Sequence, residues 1–161
     1  MNGNESSSRR TALVVEDDPD HVELIVRALR KAGIATEVEV ASDGAEALDF
    51  LFATGLYADR DPRKLPQVVF LDLNLPRIGG LEVLRRIRAN RQTRHIPVLI
   101  LTASEEEDDF VMSKDLGANC FLRKPVDYEQ FLESFRQLRR LGIYWLMESV
   151  SAPSGVRRKP A

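Results

Sequence analysis

Short apolar runs alternate along the chain with longer stretches in which apolar residues recur every three or four positions. The runs are typical of buried parallel strands, and the longer stretches are typical of amphipathic helices. The predicted strands are 11–16, 37–41, 68–72, 98–102 and 120–123, and a helix is expected after each of them. This alternation predicts an α/β fold with a doubly wound, five-stranded parallel sheet, helices on both faces and the flavodoxin-like strand order 2-1-3-4-5.

Capping residues and apolar stripes define the expected helices. Asp18 is the expected N-cap of the first helix, Pro19 its first residue, and Gly33 its stop signal. The inward-facing residues are expected to be Val22, Ile25, Val26 and Leu29, then Leu48, Leu51 and Phe52, then Leu81, Leu84 and Ile87, and finally Phe131, Phe135, Leu138, Leu141 and Trp145. The polar connection 54–66 is long for a compact domain and is expected to be a solvated loop.

Length and charge narrow the class of protein. The chain has 161 residues, which suits one domain; we expect it to span 11–150, between a disordered leader at 1–10 and a flexible tail at 151–161. With 25 acidic and 23 basic residues the net charge is −2, so direct DNA binding is not expected. A leader without an apolar core, and no apolar stretch near about 20 residues, indicate a cytoplasmic protein without a membrane segment.

Cysteine and histidine are not expected to carry the chemistry. The single cysteine, Cys120, has no partner for a disulfide or a zinc site and is expected to be a small buried side chain. His21 and His95 lie near neither each other nor a catalytic pair in the sequence, so neither is expected to be a phosphotransfer group.

Carboxylates follow two of the predicted strands. Glu16 and Asp17 come directly after the first strand, and Asp72 ends the third. In the expected strand order these strands are neighbours, so the three carboxylates would share one crevice. Each pair would repel by about 4 kcal/mol at 4 Å in an effective dielectric of 20, so a cation is expected among them. Oxygen ligands favour Mg²⁺, or Mn²⁺, over zinc.

The remaining strand ends supply groups suited to phosphate. Thr102 ends the fourth strand and Lys124 follows the fifth, so a hydroxyl and an ammonium would reach the same edge of the sheet. Both could stabilise phosphoryl oxygens. Asp72 is then the candidate nucleophile, because carboxylates can form aspartyl-phosphates.

The four motifs Glu16-Asp17, Asp72, Thr102-Ala103 and Lys124-Pro125, in this order, resemble the receiver domains of two-component response regulators. The resemblance implies that Asp72 accepts a phosphoryl group from a sensor histidine kinase. It also implies that Asp17, Asp72 and the backbone carbonyl of Asn74 bind the metal, with Glu16 acting mainly through water.

Further residue roles follow from the same resemblance. Lys124 is expected to pair with Asp72 or its phosphate, Thr102 to move toward the phosphoryl group, and Phe121 to occupy the aromatic switch position. The Lys124-Pro125 bond is expected to be cis. Asn74 and Ser104 would flank the path of the attacking water and tune dephosphorylation.

A narrower resemblance is to the single-domain regulators paired with phytochrome-type light-sensing kinases. It is carried by Leu73-Asn74-Leu75-Pro76, the connection 54–66, Asn119-Cys120-Phe121 and Tyr144-Trp145-Leu146. In that subgroup the C-terminal helix helps to form a homodimer. Tyr144, Trp145 and Leu146 are therefore a possible dimer interface, and the alternative is that they form the core end of the last helix.

Two other functions remain open at the level of sequence. Phosphohydrolases of the haloacid dehalogenase type also combine an aspartate nucleophile, Mg²⁺, a Thr or Ser and a Lys. They require a second aspartate two residues after the nucleophile, where this chain has Asn74, and they carry the nucleophile on their first strand rather than the third. A receiver-shaped binding module that takes no phosphate is disfavoured by the complete set of site residues.

Overall fold

The computed structural model describes residues 10–34, 37–103 and 107–141. The strands are β1 (Thr11–Val15), β2 (Glu37–Ala41), β3 (Val68–Asp72), β4 (Val98–Thr102) and β5 (Cys120–Arg123). The helices are α1 (Pro19–Ala32), α2 (Gly44–Phe52), α3 (Gly80–Ala89), α4 (Glu107–Asp115) and α5 (Tyr128–Arg140), with a short 3-10 helix at Gly55–Tyr57. No helix within these ranges is both long and apolar enough to cross a bilayer.

The five strands form one parallel sheet in the order β2-β1-β3-β4-β5, as predicted. The register places Val15 beside Leu71 and Asp72 beside Leu101. The carboxyl ends of β1, β3 and β4 therefore lie next to one another. This edge of the sheet is where ligands of open α/β folds bind.

A hydrophobic layer covers each face of the sheet. One layer joins α1 and α5 to the sheet, with Phe70 stacked on Phe131 at a centroid distance of 5.7 Å. The other layer packs α2 and α3 against the opposite face, through residues such as Leu51 and Ile87. Cys120 is buried at 1 % exposure, as predicted for a small core side chain.

Four of the predicted inward positions, namely Val22, Val26, Phe52 and Leu81, are only half-buried. Phe52 is the last residue of α2 and packs at the side of the α2–α3 layer. The α3 stripe consists of Val83, Leu84 and Ile87, whereas Leu81 is only half-buried. The residue after Gly80 points about 100° away around the helix from buried Gly80, which puts Leu81 at the margin of the stripe. Val22 and Val26 are likewise half-buried, at the sides of an α1 stripe centred on Ile25, Ala28 and Leu29.

The end of α5 also differs from a simple continuation of its stripe. Phe131, Phe135 and Leu138 are fully buried, but Leu141, just after the last helical residue, is 62 % exposed. Leu141 is the C-cap of α5, one residue past the last helical turn that carries the buried stripe. Trp145, the last predicted member of the stripe, lies outside the described residues.

The capping residues of α1 behave as predicted. The Asp18 carboxylate accepts a hydrogen bond from the backbone N–H of Asp20, and Pro19 is the first helical residue. Gly33 ends the helix in the left-handed region at φ 68°. Since this region favours glycine, the chain turns here toward β2 without strain.

The connection 54–66 is mostly exposed, as expected for a solvated loop, although its last residue, Pro66, is buried and Arg60 anchors it to α2. The Arg60 guanidinium donates to the backbone carbonyls of Phe50, Leu51, Asp61 and Lys64. It also lies 4.4 Å from the centroid of the Phe50 ring. One arginine therefore ties the connection to two carbonyls at the end of α2, Phe50 and Leu51, in the last turn, where helix carbonyls lack full intrahelical bonding.

Candidate functional site

Three carboxylates converge at the carboxyl edge of the sheet. Glu16 and Asp17 follow β1 and Asp72 ends β3, and each offers one oxygen within 4.8 Å of the others. Glu16 and Asp72 are buried, at 1 % and 3 % exposure, whereas Asp17 is exposed. The cluster was expected from the strand order, and it arises because β1 and β3 are direct neighbours.

Both oxygens of the Asp72 carboxylate have partners. Oδ2 lies 2.9 Å from the Lys124 ammonium nitrogen, and Oδ1 accepts a hydrogen bond from the backbone N–H of Asn74 at 3.0 Å. A buried carboxylate without such partners would be costly. The two contacts fix the side chain of Asp72 at the strand end and give each of its oxygens a partner.

Lys124 contacts Glu16 as well as Asp72. Its Nζ lies 2.6 Å from Glu16 Oε1, and its side chain is only 8 % exposed. The sequence led us to expect the Asp72 contact but not this second ion pair. Glu16 Oε2 accepts in addition from the backbone N–H of Asp18 at 3.1 Å, so Glu16 is held at two points.

Contacts and burial both shift the pKa values of Glu16 and Lys124. Burial raises the pKa of Glu16 above its usual range, and the hydrogen bond with Lys124 only partly opposes that shift. Burial alone would lower the pKa of Lys124, but its hydrogen bonds with Glu16 and Asp72 outweigh burial and hold that pKa above its ordinary value. The ammonium is therefore charged at neutral pH and remains the local counter-ion.

The remaining predicted site residues are placed as follows. Thr102 is the half-buried last residue of β4, and its carbonyl accepts from the backbone N–H of Lys124 at 2.9 Å. Ala103 follows it and is exposed.

Phe121 is half-buried, pairs in register with Ile100 and packs against the α2–α3 layer. The bond between Lys124 and exposed Pro125 is cis. Ser104, Tyr144, Trp145 and Leu146 lie outside the described residues.

The loop after Asp72 turns sharply into α3. The backbone N–H of Gly80 donates to the carbonyl of Leu73 at 3.1 Å, which closes the loop. A Cβ on Gly80 would lie 2.2 Å from the Asp72 carbonyl oxygen, so only glycine fits here. The first residue of α3 thus packs directly against the backbone of the candidate nucleophile.

One neighbour of the cluster was not expected from the sequence. His21 Nδ1 lies 3.8 Å from Glu16 Oε1 and 3.6 Å from Asp18 Oδ2. The signal that could have found it is helical spacing, since residues three apart on α1 share a face and Asp18 caps that helix. His21 therefore borders the acidic crevice, although no phosphotransfer role is predicted for it.

The donor set fits a divalent cation. Three carboxylates face one ammonium, which leaves excess negative charge in a crevice where two of the carboxylates are buried. All side-chain donors of the cluster are oxygens, the ligands that hard cations such as Mg²⁺ and Mn²⁺ prefer. The described residues therefore support a divalent-metal site.

Comparison with known proteins places the chain in a family. Residues 12–136 match the response regulator receiver domain family. Response regulator Rcp1 of Synechocystis sp. is 35 % identical over 150 residues, which cover 93 % of this chain and 97 % of that protein. A solved Mn²⁺-bound form of Rcp1 superposes with a TM-score of 0.68 and covers 94 % of this chain and 99 % of the other.

Two further solved structures are similar. The bacteriophytochrome response regulator AtBRR is 48 % identical, with a TM-score of 0.74, and covers 86 % of this chain and 96 % of its own. The phosphorylated cyanobacterial phytochrome response regulator RcpA is 33 % identical, with a TM-score of 0.69, and covers 88 % of this chain and 96 % of its own. With its sheet order, its acidic crevice and these relatives, the chain belongs to the response regulator receiver domain family and is homologous to phytochrome response regulators.

Proposed function

We propose that Asp72 accepts a phosphoryl group from a phytochrome-type sensor histidine kinase and that the phosphorylated domain signals by changing a docking or dimerisation surface. The observation that carries this proposal is the environment of Asp72. Its carboxylate lies at a strand end, contacts Lys124 and the Asn74 backbone, and has Glu16 and Asp17 beside it. The relatives named as phytochrome response regulators support the choice of kinase.

The phosphoryl transfer is a direct displacement. A lone pair on an Asp72 carboxylate oxygen forms the new O–P bond while the P–N bond to the phosphohistidine of the kinase breaks. The electron pair of the broken bond returns to the imidazole nitrogen of the kinase. Lys124, already 2.9 Å from Asp72, is placed to stabilise the added negative charge.

We propose Mg²⁺ as the physiological ion, held by Asp17, Asp72 and the backbone carbonyl of Asn74, with Glu16 acting mainly through water. The bound ion supplies positive charge for the phosphoryl oxygens. The oxygen-only donor set supports this assignment, as does the existence of a Mn²⁺-bound form of the relative Rcp1.

The residues around the phosphorylation site would respond to the new phosphate. Thr102 ends β4 beside the acceptor strand, and its hydroxyl would move toward the new phosphate, with Phe121 changing its packing in response. Ala103, which follows Thr102, and Pro125, which follows Lys124, would shape the backbone on either side of the phosphate. Asn74 and Ser104 would tune how quickly water removes it. The domain thus mediates its own phosphorylation and slow dephosphorylation and turns over no external substrate.

A phosphohydrolase is a poorer account of the same residues. Such an enzyme needs a general acid two residues after its nucleophile, and the exposed amide of Asn74 cannot supply a proton. A module that takes no phosphate would have no use for the buried Asp72–Lys124–Glu16 cluster, which is costly to assemble.

We further propose that the domain extends over 11–150 and forms a homodimer through Tyr144, Trp145 and Leu146. Leu141, only three residues earlier in the chain, is 62 % exposed. An exposed large apolar side chain next to three more apolar residues is the composition expected of an interface rather than of a solvated terminus.

The test is the intact mass of the protein after incubation with acetyl phosphate, with and without Mg²⁺, for wild type and Asp72→Asn. We expect a magnesium-dependent gain of one phosphate in wild type only. The conservative asparagine keeps the size of the side chain, so the variant should remain folded by circular dichroism. Equal labelling of the variant would overturn the assignment of Asp72, and no labelling of folded wild type would overturn the phosphoryl-acceptor function.

A further inference from the structure

The loop from Leu73 to Gly79 carries the backbone of Asn74, the group next to Asp72 in the crevice. Its start is set by the hydrogen bond from the Asn74 N–H to Asp72 Oδ1, and its end by the bond from Gly80 N–H to the Leu73 carbonyl. Neither bond restrains the middle of the loop. The contacts that hold the middle of the loop therefore decide how precisely the Asn74 backbone is positioned.

Arg77, in the middle of the loop, is attached to α2. Its backbone has φ 69°, a left-handed conformation that side-chain-bearing residues adopt rarely. Its guanidinium Nη1 lies 3.3 Å from Asp43 Oδ2. The second Asp43 oxygen, Oδ1, accepts from the backbone N–H of Glu46 at 2.8 Å and so caps α2. Asp43 thus holds the beginning of α2 with one oxygen and the loop with the other.

The loop also touches α2 through the backbone. A Cβ on Gly44, the first residue of α2, would lie 2.0 Å from the carbonyl oxygen of Ile78. The residue after Arg77 therefore rests directly on the residue after Asp43. Two adjacent contacts, one ionic and one steric, therefore hold the loop against the start of α2, which Asp43 caps.

We propose that Arg77 and Asp43 form a positioning pair, which sets the Asn74 backbone for metal binding by fixing the loop 73–79 on α2. This inference rests on the proposed function of the acidic crevice. Neither side chain contacts Asp72. The Asp43 side chain is 17 % exposed and Arg77 is 69 % exposed, so the pair is partly shielded from solvent on the aspartate side only.

The direction in which two substitutions change the affinity for the metal distinguishes a positioning role from a simple electrostatic effect. Arg77→Gln removes a positive charge near the crevice, which by Coulomb's law alone would strengthen binding of a cation. Asp43→Asn removes a negative charge and by the same law would weaken it. If the pair acts by positioning, both substitutions weaken binding. Asparagine is also a good N-cap, so Asp43→Asn should keep the start of α2 intact.

The experiment measures the Mn²⁺ dissociation constant by calorimetry and the hydrogen exchange of the Asn74 amide in metal-free protein. We expect Arg77→Gln and Asp43→Asn each to weaken Mn²⁺ binding and to speed Asn74 exchange by about two- to fivefold, the range for an ion pair of this exposure. The double variant should bind Mn²⁺ no more weakly than the weaker of the two single variants, because the two residues act as one unit. Arg77→Lys should keep most of the wild-type Mn²⁺ affinity and Asn74 protection, since a single nitrogen makes the contact with Asp43.

Arg63→Gln is the matched control. Arg63 pairs with Asp61 in the exposed connection 54–66, so this variant removes the same charge from a similar aspartate pair away from the loop. It should leave both readouts unchanged. Opposite effects of Arg77→Gln and Asp43→Asn, additive losses, or unchanged Asn74 exchange would overturn the positioning role.

Failure of the inference can be told apart from failure of the proposed function. If wild type binds Mn²⁺ and takes up phosphate while Arg77→Gln matches it, only the positioning pair is wrong. If wild type neither binds Mn²⁺ nor takes up phosphate, the proposed function is wrong, and the exchange of the Asn74 amide in metal-free protein still decides whether the pair holds the loop.

Discussion

Lys124 lies closer to Glu16 than to Asp72. Its ammonium nitrogen is 2.6 Å from Glu16 Oε1 and 2.9 Å from Asp72 Oδ2, and all three side chains are buried. The lysine therefore bridges the ends of two neighbouring strands rather than serving Asp72 alone. A phosphoryl group on Asp72 would compete with Glu16 for the same ammonium, so phosphorylation would change the contacts of β1 as well as those of β3.

The first prediction concerns this lysine. Lys124→Ala should still gain phosphate on Asp72, because the nucleophile and the other two carboxylates remain. It should lose the phosphate-induced change in hydrogen exchange of β4, α4 and β5, because the lysine whose ammonium would contact the phosphate directly follows β5, and its backbone is bonded to the end of β4. The measurement is hydrogen–deuterium exchange with and without acetyl phosphate. Lys114→Ala, at an exposed lysine of α4, is the control; a normal response of Lys124→Ala would remove the lysine from the switch.

The second prediction concerns the turn into α3. Gly80→Ala should lower the free energy of unfolding by about 1–3 kcal/mol, the range for forced overpacking, because its Cβ would lie 2.2 Å from the Asp72 carbonyl oxygen. Gly79→Ala should have a smaller effect, since the nearest atom to its Cβ is 4.0 Å away and its φ is −70°. Urea denaturation of both variants checks this, and equal stabilities would show that the close approach does not limit the fold.

The third prediction concerns the reactivity of Cys120. Burial raises the pKa of its thiol from 9.0 to about 11. Because the folded state favours the neutral thiol, this contribution to stability is fully present below pH 9 and is lost as the pH rises through 11. At pH 8 the folded protein should react with a disulfide reagent far more slowly than the protein in urea. Fast reaction under native conditions would mean that Cys120 is not a closed core position.

The fourth prediction concerns the proposed dimer interface. Trp145→Ala should lower the mass seen by solution scattering toward that of a monomer, because it removes the largest apolar side chain of the Tyr144–Trp145–Leu146 group. Leu56→Ala, at a leucine that is 94 % exposed elsewhere on the surface, should leave the mass unchanged. An unchanged mass for Trp145→Ala would return that group to the core end of the last helix.

Elements whose cause is local could be predicted from the sequence. Apolar runs located four of the strands, and the remaining strand, β2, has the alternating sequence Glu-Val-Glu-Val-Ala; β2, β3, β4 and β5 have the predicted bounds. Asp18, Pro19 and Gly33 delimited α1 because caps and stops act through hydrogen bonds and backbone angles of the residues beside them. The strand order then brought Glu16, Asp17 and Asp72 together, since residues that end neighbouring parallel strands must meet at one edge.

The tertiary structure decided which side chains meet across the chain. The Lys124–Glu16 ion pair, the position of His21 near that pair, and the hold of Arg60 on the connection 54–66 depend on side-chain reach and on the exact seating of helices. The half-burial of Leu81 and the attachment of Arg77 to Asp43 depend on them as well. Periodicity along one segment carries no information about a partner on another segment. The sequence by itself therefore determined the elements and the strand-end chemistry, and only packing in three dimensions determined the contacts that hold that chemistry in position.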